Sequence, residues 1–157
     1  SWPMIVSLKS VSGDQITHRC AGTILNQWFI LSAAHCVDLY GVEDLTRGRL
    51  IISAGSHNRS SSDSIAHQID RIILHPEWRV GSQDFRYDIA LLHLSKPLKL
   101  MENPSIVRSC LPAEMTNLDE IMNYPSNGST LMVIGWGRLG THEMDTDQLQ
   151  QALVYSI

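Results

Sequence analysis

The sequence predicts an all-β fold, and two observations lead to this prediction. Short apolar runs that are rich in β-branched and aromatic residues recur along the chain, and glycine, asparagine, aspartate and serine separate them. Helical periodicity is almost absent. The 157 residues are enough for one domain with a sizeable core. We therefore expect an antiparallel barrel or sandwich.

Six strands are predicted before residue 95, and polar loops at 38–48, 58–64 and 79–87 separate some of them. The last strand is nearly all apolar and is expected to be buried. The predicted strands cover residues 4–8, 16–25, 28–32, 50–55, 65–74 and 89–94.

The remaining third of the chain predicts only two further strands. Residues 96–127 contain four prolines and little periodicity, which indicates a surface linker. Strands are then expected within 130–136 and 148–157. Because two strands cannot close a barrel, we interpret the end of the sequence as a cut. The opening Ser1-Trp2-Pro3 already has a strand-like pattern, so residue 1 is interpreted in the same way.

Composition excludes two classes of partner. Twelve basic and sixteen acidic residues give a net charge of −4, and no basic block favours nucleic-acid binding. No apolar run approaches the roughly 20 residues of a membrane-spanning helix. No signal-like segment opens the chain.

Cysteines and sequons point to an oxidising setting outside the cell. Three cysteines predict one pair and one cysteine left over. Asn58-Arg59-Ser60 and Asn127-Gly128-Ser129 are N-glycosylation sequons within polar, turn-rich stretches. The combination predicts a secreted glycoprotein. Solvated loop asparagines are the alternative reading of each sequon.

One histidine stands out by its neighbours. Ala33 and Ala34 allow a tight turn after an apolar run, which leaves His35 exposed at a strand end. Cys36 can tie that turn to a neighbouring strand, and Cys20 is the obvious partner. A histidine held in this way is suited to proton transfer near neutral pH. A satisfied histidine at a strand end is the alternative.

Several motifs occur in a fixed order along the chain, among them Cys-Ala-Gly-Thr-Ile-Leu, Leu-Ser-Ala-Ala-His-Cys and Asp-Ile-Ala-Leu-Leu. Together they resemble the chymotrypsin/trypsin-like serine proteases (peptidase S1). Cys-Ala-Gly-Thr-Ile-Leu at 20–25 and Leu-Ser-Ala-Ala-His-Cys at 31–36 resemble the region of the catalytic histidine, and Asp-Ile-Ala-Leu-Leu at 88–92 resembles the aspartate strand. The other matches also lie in the family's order, at residues 2–3, 6–8, 73–78, 110–112 and 135–137. The resemblance covers essentially the whole chain.

The resemblance implies a trypsin-like antiparallel double β-barrel, with the first barrel complete and the second only begun. It places the first barrel at 1–112, a linker at 113–128 and the first strands of the second barrel at 129–157. The whole chain is then an incomplete peptidase domain.

The resemblance also assigns catalytic roles. His35 is implied to be the general base and then the general acid, and Asp88 is implied to accept a hydrogen bond from it and fix its tautomer. The two side chains are expected about 2.6–3.2 Å apart. Spacing alone does not separate Asp88 from Asp84, but the family match selects Asp88. A strand-capping aspartate is the alternative.

The cysteines have separate expected roles. Cys20 and Cys36 are expected to form a disulfide with Cα atoms within about 7 Å. A metal site is not expected, because zinc-binding motifs are absent from the sequence. The resemblance implies that Cys110 bonds to an upstream segment, and a free thiol is the alternative. No cofactor is expected. The other histidines that we consider are interpreted as structural or surface residues: His57, His67, His75, His93 and His142.

The nucleophile that this family requires has no match. No Gly-Asp-Ser-Gly occurs in the sequence, and neither does the family's Ile-Val-Gly-Gly start. The resemblance therefore implies a serine endopeptidase with a polypeptide substrate, whose serine lies beyond Ile157, so that this chain alone is inactive. The alternative is a non-catalytic homologue that acts as a binding or regulatory module, although retention of both His35 and Asp88 argues against it. A natural truncated isoform and the cleavage specificity stay open.

Overall fold

A computed structural model describes residues 2–61, 64–81, 85–140 and 146–157, with Glu120 described by its backbone only. Its contacts divide the chain into two compact units, residues 1–109 and 110–157. Each unit is described by itself.

The first unit is a closed antiparallel barrel in which six described strands follow the order β1-β2-β3-β6-β5-β4 and β4 pairs with β1. Closure pairs both edges of every strand, which removes the exposed edges of an open sheet. The predicted all-β fold with six strands in this part is confirmed. The strands are β1 (Ile5–Ser12), β2 (Gln15–Ile24), β3 (Phe29–Ser32), β4 (Leu50–Ala54), β5 (Ile65–Leu74) and β6 (Ala90–Leu94).

Buried and less buried side chains alternate along the strands, so that one face of each strand contributes apolar side chains to the barrel interior. In β6, Ala90, Leu92 and Leu94 are buried, whereas Leu91 and His93 are only half-buried on the other face. β6 is therefore buried on one face, although its apolar composition predicted burial of the whole strand. Gly22 is required where β2 approaches β3, because a Cβ there would lie 2.7 Å from Cγ2 of Ile30.

Two short helices follow β3, one at the predicted tight turn and one within the predicted polar loop 38–48. A 3-10 turn covers Ala34–Cys36 and α1 covers Val42–Thr46. The Asp44 carboxylate accepts a hydrogen bond of 3.0 Å from the Gly41 amide at the start of α1. Both helices are too short to produce a helical period in the sequence, which explains why the sequence predicted a turn and a loop here.

The second unit contains α2 (Leu118–Met122) and an antiparallel pair, β7 (Thr130–Gly135) and β8 (Gln150–Tyr155). Both predicted strands are present, and β8 begins two residues later than expected. Every residue of β8 is exposed. No described helix is long and apolar enough to cross a membrane.

Candidate active site

The chain turns sharply just after β3, at the segment that carries His35. Ala33 is extended, and the 3-10 turn that follows buries Ala34 and Cys36 while His35 stays exposed. Small alanine side chains let the turn pack against the barrel core. The sequence thus places the imidazole at the end of a strand, where it reaches solvent.

A disulfide anchors this turn. Cys36 is bonded to Cys20 of β2, with their Cα atoms 6.1 Å apart. The predicted disulfide is therefore confirmed. Closing a loop of this size removes chain entropy from the unfolded state that is worth roughly 3 kcal/mol.

The barrel topology brings Asp88 to the same place. β3 pairs with β6, with Ser32 opposite Ala90, so residues just after β3 and just before β6 lie at one end of the barrel. The His35 Nδ1 atom lies 2.6 Å from the Asp88 Oδ2 atom. The backbone N–H of His35 also donates to the other carboxylate oxygen, at 2.8 Å. The predicted distance between the two side chains is therefore present.

Two opposing influences act on the Asp88 carboxylate. Partial burial by itself raises the pKa of Asp88, but the hydrogen bonds from the His35 amide and ring, the charge of His35 and the Ala34 amide together lower it below the usual aspartate range. Asp88 is thus a carboxylate at neutral pH and accepts the Nδ1 proton of His35. This leaves Nε2 as the nitrogen that can take a proton from another group.

The His35 ring contacts an aromatic side chain, and the residue is otherwise exposed to solvent. The ring of Phe85 meets the imidazole edge-on, with centroids 5.8 Å apart and an interplanar angle of 86°. The Cys36 sulfur lies 3.5 Å from Nε2. Phe85 was not among the predicted site residues, although an aromatic residue within a polar loop, three positions before Asp88, was a usable signal.

Other predicted residues are placed as follows. Cys110 is exposed and takes no part in the disulfide. Asn127 is exposed, whereas Asn58 is half-buried and its side-chain oxygen accepts a hydrogen bond from the Ser60 amide. Asp84 lies outside the described residues, so its distance from His35 stays a prediction. His142 also lies outside them.

A second histidine–aspartate pair lies on the barrel wall. The His93 Nδ1 atom is 2.6 Å from an Asp70 carboxylate oxygen, as short a contact as that between His35 and Asp88. Trp28 stacks on the His93 ring at 5.6 Å, and Phe29 meets its edge at 5.0 Å. His93 was predicted to be a structural or surface residue, and its pairing with Asp70, which lies at a register shift in β5, was not predicted.

Potential metal ligands also meet beside His35. One ligand atom from each of Cys20, His35 and Cys36 lies within 4.8 Å of the others. Both sulfurs are held in the disulfide, so neither is a thiolate that could bind a metal. The chemistry that this arrangement supports is proton transfer at Nε2 of His35.

An exposed histidine held by an aspartate carboxylate, on a closed barrel and beside a disulfide, matches two of the three side chains of the serine-protease triad. The chain belongs to the trypsin family, since the family model described as Trypsin matches residues 1–157.

Curated relatives agree with this membership. Chymotrypsin-like elastase family member 1 of Macaca fascicularis is 33% identical over 159 aligned residues, which cover 100% of this chain and 54% of the relative. The human protein of the same name is also 33% identical and is covered to 55%. The chain therefore spans about half the length of the curated relatives it matches.

A solved structure shares the fold. Neuropsin, described as a serine protease expressed in the limbic system of mouse brain, superimposes with a TM-score of 0.75 over 99% of this chain and 60% of neuropsin. The two sequences are 22% identical, so this likeness supports the fold alone.

Proposed function

We propose that this chain supplies the proton-transfer half of a serine endopeptidase active site. His35 takes the proton of a serine hydroxyl through Nε2 and later returns it to the leaving amine. Asp88 holds the imidazole in the required tautomer and stabilises the imidazolium that forms. The observation that supports this most directly is the 2.6 Å contact between Nδ1 of His35 and Asp88, with His35 itself exposed.

The nucleophile in this proposal comes from residues that follow Ile157. A general base only raises the reactivity of a hydroxyl group, so no acyl-enzyme forms without a serine placed beside Nε2. The oxyanion donors and the pocket for the substrate side chain are assigned to the same missing part. Residues 1–157 alone should then release no product from peptide esters or amides.

The setting of the protein forms part of the proposal. A disulfide that anchors the base favours an oxidising, extracellular location. The exposed Asn127 is the more accessible of the two sequon asparagines, and Asn58 is the less accessible. By the family resemblance, Cys110 bonds to a segment upstream of residue 1. A comparison of reduced and non-reduced peptide maps of the full-length protein tests the bond of Cys110. The same maps show whether the peptides that contain Asn127 and Asn58 carry a glycan.

The experiment that tests the proposed function compares His35→Ala with His93→Ala in the full-length protein. Each change removes the histidine of one histidine–aspartate pair from the same barrel, so His93→Ala is a matched control. Hydrolysis of peptide substrates should fall to background for His35→Ala and persist for His93→Ala. Equal hydrolysis by the two variants, or none by the wild-type protein, would contradict the proposal and favour a non-catalytic homologue.

A further inference from the structure

We propose that the turn His75–Trp78 is a brace that sets the position of Asp88 relative to His35. In this proposal His75, Trp78 and Tyr87 are positioning residues. It rests on the proposed function, because the position of Asp88 matters for activity only if the pair is catalytic. The turn directly follows β5, and β5 pairs with β6, so the turn lies opposite the residues that lead into β6.

One side of the brace holds both chain neighbours of Asp88. The His75 backbone N–H donates to the carbonyl oxygen of Ile89 at 3.1 Å, which extends the β5–β6 ladder by one bond. The His75 ring stacks on the Tyr87 ring, with centroids 4.8 Å apart and an interplanar angle of 14°. The Ile89 N–H donates to the Tyr87 carbonyl at 2.8 Å and closes a tight turn around Asp88. His75 therefore restrains Asp88 from both directions along the chain.

The backbone of Tyr87 shows why such a restraint is needed. Its φ of 63° lies in the left-handed region, which a residue with a Cβ adopts only at a cost. Strained backbone of this kind persists when the surrounding contacts fix it. The stacked His75 ring is such a contact, and it holds the bend that aims the Asp88 carboxylate at the turn after β3.

The brace is itself rigid. The Trp78 N–H donates to the His75 carbonyl at 2.9 Å across a turn with Pro76 at its second position, where proline favours the bend. The Glu77 N–H donates to Nδ1 of His75 at 3.2 Å, which fixes the orientation of the ring. The imidazole is thus held ready to stack on Tyr87.

The other side of the brace reaches the segment that carries His35. The Trp78 side chain is buried, and its indole N–H donates to the Asp38 carboxylate at 3.1 Å. Asp38 follows Cys36 by two positions, and its own N–H donates to the Ala34 carbonyl at 2.9 Å. The turn at 75–78 therefore contacts both segments whose separation sets the distance between His35 and Asp88.

Two substitutions at one position test the ring contact. Tyr87→Gly removes the ring and lets the chain adopt the left-handed bend without strain, whereas Tyr87→Phe keeps both the ring and the strain. In the full-length protein, Tyr87→Gly should lower kcat about 10- to 100-fold, the size expected for a small misplacement of a catalytic group, with KM changed less than about twofold. Tyr87→Phe should retain the wild-type kcat. Trp28→Ala removes the corresponding stack on His93 and is the matched control, with no expected change in kcat.

The pKa of the Asp88 carboxylate gives a second readout, which does not depend on activity. Carbon-13 NMR of the Asp88 side chain should show that its pKa rises towards the ordinary aspartate value in Tyr87→Gly, because the hydrogen bonds from His35 that lower it are lost. Trp78→Phe keeps the buried ring but loses the indole donor, and its Asp88 should shift in the same direction by less. Thermal melting shows whether Tyr87→Gly folds. If it does not, Trp78→Phe tests the proposal in its place.

The outcomes separate the brace from the proposed function. An unchanged Asp88 pKa and kcat in both Tyr87→Gly and Trp78→Phe would overturn the brace while leaving the enzyme intact. A loss in Tyr87→Phe as large as that in Tyr87→Gly would show that the stacked ring is not responsible, which also overturns it. An inactive wild-type protein whose Asp88 pKa still moves in these variants would contradict the proposed function and support the brace.

Discussion

The two histidine–aspartate pairs of the barrel have the same contact distance and opposite exposure. In the pair at the end of the barrel, the His35 side chain is 49% exposed and that of Asp88 is 17% exposed. In the pair on the barrel wall, the side chain of His93 is 24% exposed and that of Asp70 is 47% exposed. Both Nδ1–oxygen distances are 2.6 Å. A short contact alone therefore does not distinguish a site for proton transfer from a structural pair.

The two pairs differ in which side chain, the imidazole or the carboxylate, a third molecule can contact. At His35 the carboxylate is sheltered and the imidazole is open, so a proton can reach Nε2 from outside. At His93 the aromatic rings of Trp28 and Phe29 cover the imidazole while the carboxylate faces water. An exposed carboxylate is strongly screened, so the second pair contributes little beyond local packing.

The largest expected effect comes from replacing the aspartate of each pair. In the full-length protein, Asp88→Asn should lower kcat about 10⁴-fold, because an asparagine favours the wrong histidine tautomer, as it does in the serine-protease triad from which this figure comes. Asp70→Asn should keep kcat within about twofold. Steady-state hydrolysis of a peptide ester measures both variants. Similar losses in the two variants would mean that the difference in exposure has no functional meaning.

Removal of the disulfide tests the anchor that only the first pair has. The double variant Cys20→Ala, Cys36→Ala should lose about 2–5 kcal/mol of unfolding free energy, the usual cost for a small disulfide-bonded domain. Urea unfolding of wild type and variant measures the loss. Ser32→Ala, at the end of β3, removes a buried hydroxyl that donates to the Ala21 carbonyl at 3.0 Å, and its expected loss of about 1 kcal/mol gives the scale of one hydrogen bond near the same turn. A loss below about 1 kcal/mol would contradict the view that the disulfide stabilises the His35 turn.

The sequence was sufficient for most of this fold. Alternating β-branched and aromatic residues between turn signals predicted six strands of the barrel, and the two alanines before His35 predicted its exposed turn. The five-residue helices escaped because no periodicity develops over one turn. The aspartate of the pair could be chosen only through family resemblance, since Asp84 and Asp88 are equivalent in spacing. The pairing of β3 with β6 is what brings Asp88 to the turn after β3.

The pair of His93 and Asp70 was not predictable in the same way. Asp70 faces His93 because β5 shifts register between Ile69 and Arg71, and no residue in that run signals a bulge. The stacked His75 and Tyr87 rings are likewise far apart in the sequence. Contacts that depend on strand register or on the path of a loop could therefore be identified only from the structure.

A smaller effect concerns acid stability. The pKa of Asp88 is lower in the folded chain than its ordinary value, so its contribution to stability is complete above the unfolded pKa and is lost as pH falls through the folded value. The difference in unfolding free energy between wild type and Asp88→Asn should therefore shrink on acidification below about pH 4. Asp70→Asn serves as the reference. A difference that stays constant with pH would contradict the assigned role of the His35 hydrogen bonds.

The central claim is that Asp88 holds the Nδ1 proton of His35 and leaves Nε2 open. Nitrogen-15 NMR of the neutral imidazole rings tests it most directly, because the two ring nitrogens differ strongly in shift when one is protonated. The account predicts a protonated Nδ1 and an unprotonated Nε2 at His35 in the wild-type protein, and loss of this preference in Asp88→Asn but not in Asp70→Asn. A protonated Nε2 at His35 in the wild type would contradict it.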